Sequence, residues 1–82
     1  MAQGPAQAIV DGIMDGLEAI AAEVAARVTE AWCVRHGQTG HAADLASTAS
    51  VAAADAVEAS LQLATDVAAI VTAMDARYAA HA

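Results

Sequence analysis

Cys33 and His36 stand three residues apart, with His41 and Asp44 shortly after them. On a helix the first two project to one side, off the apolar face. A Cys-x-x-His pair with a second histidine across a turn could hold a zinc ion, with Asp44 or a second copy completing four ligands. Structural zinc sites usually show two such pairs, and this chain shows one. Metal binding by Cys33, His36 and His41 is therefore an alternative, and ordinary surface placement the plainer expectation. Cys33 is the sole cysteine, which excludes an intrachain disulfide and leaves a link between chains. Its place near a helix C-terminus gives a nucleophilic role no support. The carboxylates raise a di-metal bundle site, which requires inward Glu and Glu-x-x-His pairs. None of Glu18, Glu23, Glu30 and Glu58 precedes a histidine by three, so solvated faces account for them. No cofactor is expected.

Arg35-His36-Gly37-Gln38-Thr39 resembles the Arg-His-Gly signature of the histidine phosphatases, the phosphoglycerate mutase-like superfamily. The resemblance implies phosphoryl transfer to His36, with Arg35 holding the phosphate. It covers five residues. That family's motif ends a β-strand in an α/β domain more than twice this long, and it draws a second His and further Arg from distant segments. Here the preceding residues are helix-patterned, and a helix end with basic side chains accounts for the same letters. In size, alanine content and hairpin shape the chain also resembles the small type VII secreted helical hairpins. It departs from them in detail. Trp32 stands five residues before Gly37 rather than in a Trp-x-Gly turn, and the tail after Tyr78 lacks the acidic residue four positions on. Trp32 is read as a core anchor, and the chain as a non-enzyme.

The elements that carry these residues are two alanine-rich amphipathic runs split by Gly37-Gln38-Thr39-Gly40-His41. The pattern predicts an all-α antiparallel hairpin in one domain over residues 1–82, with helices at about 5–36 and 42–80 and a loop at 37–41. Pro5 suits a first helical turn. Ile9, Ile13, Leu17, Ile20, Val24, Val28 and Ala31 recur at three- and four-residue steps. With Val10, Met14, Ala21 and Trp32 they cover an arc of roughly 140°. Arg35 and His36 suit a last turn, and Gly37 a left-handed helix end. Thr39 or Gly40 is expected to cap the second helix, with Asp44 in its first turn. The second stripe reads Leu45, Ala49, Ala53, Ala56, Ser60, Leu63, Val67, Ile70, Val71, Met74 and Tyr78. Folding at residue 38 or 39 places i opposite j where i + j is about 77. Trp32 and Val28 would then face Leu45, Ala46 and Ala49, and Ile9 and Ile13 would meet Ala68 and Ala64. The second helix would overhang the first by roughly 10–15 Å at 1.5 Å per residue, exposing Val71, Met74 and Tyr78.

Composition narrows the role. Alanine fills 26 of 82 positions, and Trp32 and Tyr78 are the only aromatics. Such a core is thin, because alanine contributes little apolar area, and the chain is below the size at which one core easily outweighs chain entropy. A second copy is the simplest remedy, giving a homodimeric four-helix bundle. Lysine is absent and the formal charge is -7. That opposes nucleic acid, which needs clustered Lys or Arg, and an anionic membrane surface. The longest charge-free helical stretch, residues 45–54, has ten residues against the roughly 20 that span a bilayer. The first five residues lack a cationic leader region, and a lone cysteine suits a reducing compartment, so cytoplasm is the default expectation.

The expected role is therefore a non-catalytic assembly or adaptor module that contacts itself, and in some settings another protein. Its packing residues would be Ile13, Leu17, Ile20, Val24, Trp32, Leu63, Val67, Ile70, Met74 and Tyr78. The alternatives are a filament or ribbon subunit, a secreted hairpin working with a partner chain, and a metal-binding bundle.

Overall fold

The computed structural model describes residues 4–81. Residues 1–3, part of the stretch read above for a leader, and Ala82 lie outside the described residues. Two helices, α1 (Pro5–Arg35) and α2 (Thr39–His81), form an all-α hairpin, with no strand among the described residues. The Cα atoms span 67 × 23 × 13 Å, a single layer one helix thick.

Backbone chemistry at the helix ends explains why the chain turns where it does. Gly4 is extended, Pro5 takes the first helical position, and the Gly4 carbonyl accepts from Gln7 and Ala8 N–H. At the other end of α1, Gly37 is left-handed at φ +72. The Gln38 N–H donates to the Cys33 carbonyl at 2.8 Å and the Gly37 N–H to the Val34 carbonyl at 3.2 Å. This pair of bonds is the Schellman closure, which satisfies carbonyls that a helix end leaves free. The connection is shorter than expected. The 37–41 loop contracts to residues 36–38, because the Gln38 carbonyl already accepts from Ala42 N–H at 3.0 Å. Thr39 and Gly40 are thus the first residues of α2 rather than caps outside it, and Asp44 falls beyond its first turn.

The seam between the helices is lined by small residues, contrary to expectation. A Cβ built on Gly12 would lie 3.4 Å from Leu63 Cδ1, and one on Gly16 would lie 3.9 Å from Ala59 Cβ. Both pairs sum to 75, two less than expected, so the register is slipped by two residues. The same register sets Cys33 opposite Ala42, Ala26 opposite Ala49, and Glu23 opposite Ala52. The buried residues are Ala26, Cys33, Ala42, Ala49 and Ala52, with Ala49 at 0% exposure. Half-buried Ile9, Gly12, Gly16, Ala19, Glu23 and Glu30 complete the α1 row at alternating steps of three and four. On α2 the row runs Ala42, Leu45, Ala49, Ala52, Ala56, Ala59, Leu63, Asp66 and Ile70. This is heptad spacing, and side chains this small let helix axes approach toward the short end of the roughly 8–10 Å range.

The expected facing of Val28 and Trp32 on Leu45, Ala46 and Ala49, and of Ile9 and Ile13 on Ala68 and Ala64, is therefore replaced. Two helices in contact can bury only one stripe each, and the stripe that allows closest approach has won. Pro5 falls level with Ile70, so residues 71–81 extend past the start of α1 by roughly 16 Å at 1.5 Å per residue. All of them are exposed.

Two glycines give opposite expectations that test this account. Gly37→Ala forces a Cβ into left-handed backbone and should destabilise the hairpin by about 1–2 kcal/mol. Gly16→Ala adds a methyl in ordinary contact with Ala59 and removes the helix-interior penalty, stabilising by about 1 kcal/mol. Thermal melting at one fixed concentration should move several degrees down for the first and up for the second.

Candidate functional site

The hairpin has two chemically distinct broad sides. One interhelical groove, about 540 Å³, is lined by Asp15, Glu18, Ala19, Ala22, Asp55, Glu58, Ala59 and Gln62. A second, about 160 Å³, is lined by Gly12, Ile13, Gly16, Leu17, Ile20, Ala59, Ser60 and Leu63. Ala59 lies in the seam and touches both, so the grooves open on opposite sides of the layer. The first side gathers four carboxylates, and the second carries none in its groove. The helical repeat sorts them this way. On α1 the large aliphatic row is rotated from the seam row by about a third of a turn, while Asp15 and Glu18 lie on the other flank.

Apart from Trp32, which shares the heptad place of Glu18 on the carboxylate side, the residues expected to pack lie on the apolar side, at the seam or in the overhang. Ile13, Leu17, Ile20, Val24, Val67 and Met74 are roughly half exposed, Trp32 is 46% exposed and Tyr78 80% exposed. Leu63 and Ile70 alone of that set reach the seam, where they are half-buried. These side chains thus form a surface within the single chain. The total accessible area is 6009 Å², whereas a compact monomer of 8.2 kDa is expected to expose about 4,500 Å². The excess of roughly 1,500 Å² exceeds the approximately 800 Å² per partner of a standard interface.

The surface placement expected for Cys33 is corrected: it is 4% exposed in the seam, whereas His36 is exposed. His36 stacks on Trp32, ring centroids 4.3 Å apart and tilted by 34°. His41 and Asp44 are exposed on the first turns of α2. Among the described residues, no three His, Cys, Asp or Glu side chains come together as a metal site. The phosphatase letters Arg35-His36-Gly37 end a helix, not a strand, and Arg77 and His81 sit at the opposite end of the molecule.

Many of the remaining polar side chains bond locally. Thr29, Thr48, Ser50, Ser60, Thr65 and Thr72 each donate to the carbonyl four residues back, at 2.8–3.1 Å. Gln7 donates to Asp11 and Gln62 to Asp66. Arg27–Glu30 at 3.2 Å is the one ion pair among the described residues, between an exposed arginine and a half-buried glutamate still open to solvent, and of small energetic weight. No polar or charged side chain among the described residues is buried.

The class that fold and surface define is an all-α two-helix hairpin with an apolar side and an acidic side. Compared with known proteins, the chain matches no family model, no curated protein and no solved structure. By length and composition alone α2 is also long and apolar enough to cross a bilayer, with an 18-residue stretch of mean hydropathy 1.3.

Leu45, Ala49, Ala56, Leu63 and Ile70 of the α2 seam row are legible in the sequence pattern, whereas the small α1 row is not. Two signals could have found it. Cysteine is among the most buried residue types, and the row through Cys33, Ala26, Ala19, Gly16 and Gly12 keeps heptad steps.

Proposed function

We propose that this protein is a non-catalytic assembly module that works by self-association through its apolar side. The observation that carries this reading is the segregation of surface. Ile13, Leu17, Ile20 and Val24 are each about half exposed or more along one side, while Asp15, Glu18, Asp55 and Glu58 line the other. Isolated exposed apolar residues are ordinary, but a contiguous stripe of this size marks an interaction surface. Covering it supplies the apolar burial that a seam of alanine and glycine lacks, and it links folding to concentration by mass action.

Light scattering across a dilution series, with helicity followed in parallel, tests the proposal. The expected mass at micromolar concentration is a multiple of 8.2 kDa, falling on dilution together with helicity. Added salt should favour the associated form, because copies of formal charge -7 repel. A compact, cooperatively melting monomer at nanomolar concentration would refute the proposal.

The overhang supports a second reading, a filament or ribbon subunit. Residues 71–81 project beyond α1 with Val71, Met74 and Tyr78 exposed, and a head-to-tail contact that does not close generates polymers. Electron microscopy at high concentration separates the two: extended filaments favour this reading, discrete particles the first.

A further inference from the structure

We infer that the apolar side is closed by a second copy of this chain lying face to face with its turn at the same end, so that α1 of each copy seats along α2 of the other. This arrangement rests on the self-association proposed above.

The occupant follows from charge and area. Each copy carries a formal charge of -7, and four carboxylates line the groove on the other side. Pairing through the apolar side keeps those carboxylates in water on the two outer surfaces of a two-layer particle. The excess accessible area of roughly 1,500 Å² per copy is more than a standard dimer covers. A second copy supplies an equally apolar, equally long surface.

The orientation follows from the shapes of the two halves of that side. On α1, Ile13, Leu17, Ile20 and Val24 succeed one another at steps of three and four and form a ridge, which Arg27, paired with Glu30, continues toward the turn. On α2, Ser60 lines the apolar groove with Ile13 and Leu17. Stepping back from Ser60 by three or four residues along the same side gives Val57, Ala53, Ser50 and Ala46. Toward the turn this half is a trough of small side chains. Ser50 and Ser60 each donate to a carbonyl of their own helix, at 3.0 and 2.9 Å, so covering them strands no hydroxyl donor.

Two face-to-face symmetric dimers are possible. A two-fold axis across the helices stacks ridge on ridge and trough on trough, leaving the α2 pair apart. An axis along the helices places each ridge in the partner's trough. Both give every helix antiparallel neighbours, but only the second lets large and small side chains interlock along both helix pairs at interior-like density. In that register Val24 of one copy lies within a turn of Ala53 of the other.

A distance measurement tests the arrangement. Gln38→Cys in a Cys33→Ala background, spin-labelled at the turn, should give an intermolecular distance below about 30 Å, against about 50 Å for turns at opposite ends. Oxidising a mixture of Val24→Cys and Ala53→Cys chains, each in that background, should yield the mixed 24–53 disulfide in several-fold excess over the two symmetric ones. Long spin–spin distances, or preferential 24–24 linkage, in chains that still scatter as dimers would overturn this arrangement and leave self-association standing. A chain monomeric at every concentration would overturn both. So would one that is monomeric in buffer yet partitions onto phosphatidylcholine vesicles, which would give the apolar side to a bilayer.

Discussion

Ala49→Leu is expected to be among the most damaging single substitutions in the chain. Ala49 is at 0% exposure, and the register carries Ala26, itself buried, to the position opposite. A leucine there adds three carbons where two helix backbones approach with only methyl groups between them. The helices are continuous through this level, so the added volume must push the axes apart over several turns. Overpacking typically costs about 1–3 kcal/mol and occasionally more, and this site belongs at the upper end. Domains of this length are held by roughly 4–12 kcal/mol, so a large share of the stability should vanish, read as a melting temperature lower by at least ten degrees. A double-mutant cycle makes the test specific. Ala26→Gly alone should cost about 1 kcal/mol through helix propensity, but combined with Ala49→Leu it should return part of the lost stability. Strict additivity of the two changes would show that residues 26 and 49 do not face each other.

That pairing is where the sequence was hardest to read. The hairpin and its turn were legible because local chemistry decides them. Pro5 opens a helix, Gly37 is the residue that accepts φ +72, and no glycine or proline interrupts 41–81. The lengths of the two helices followed to within a few residues. The direction in which each helix faces was misread, because it depends on which stripe the neighbour selects. On α1 the large aliphatic row and the small row through Gly12, Gly16, Ala19, Ala26 and Cys33 both have helical period. Ranking by apolar area chooses the first, whereas close approach of two helices chooses the second. Glu23 and Glu30 sit within the small row, which disguised it as a polar face. On α2 the choice was easier. Leu45, Ala49, Ala56, Leu63 and Ile70 were assigned to the packed stripe, and they are buried or half-buried there. Cys33 belongs to the same small row, and its burial was hidden for the same reason. The ten residues expected to pack remain the candidate interface, now mostly as surface instead of core.

Ile20→Asp should disrupt association through a change on the apolar surface and not in the seam. Ile20 is 50% exposed and lines the apolar groove beside Leu17 and Leu63, so inside the single hairpin a carboxylate there would stay in water. In the associated form each copy would lose the burial of one isoleucine, about 1.5–3 kcal/mol, and would confine a charge in an apolar contact. Symmetry doubles both effects. A loss of at least 3 kcal/mol corresponds to a dissociation constant weaker by about two orders of magnitude or more. Light scattering should therefore report monomer at concentrations where the parent chain associates, with helicity falling as the hairpin loses its cover. Val67→Asp, on the same side of α2, should act in the same direction. Ala22→Lys is the matched control. Ala22 is exposed in the acidic groove beside Asp15 and Glu18, so a new charge there should leave association intact or slightly strengthen it by lowering the net negative charge. If Ala22→Lys dissociated the particle while Ile20→Asp left its mass unchanged, the working surface would be the carboxylate side. The apolar stripe would then have to be explained by something other than contact between copies.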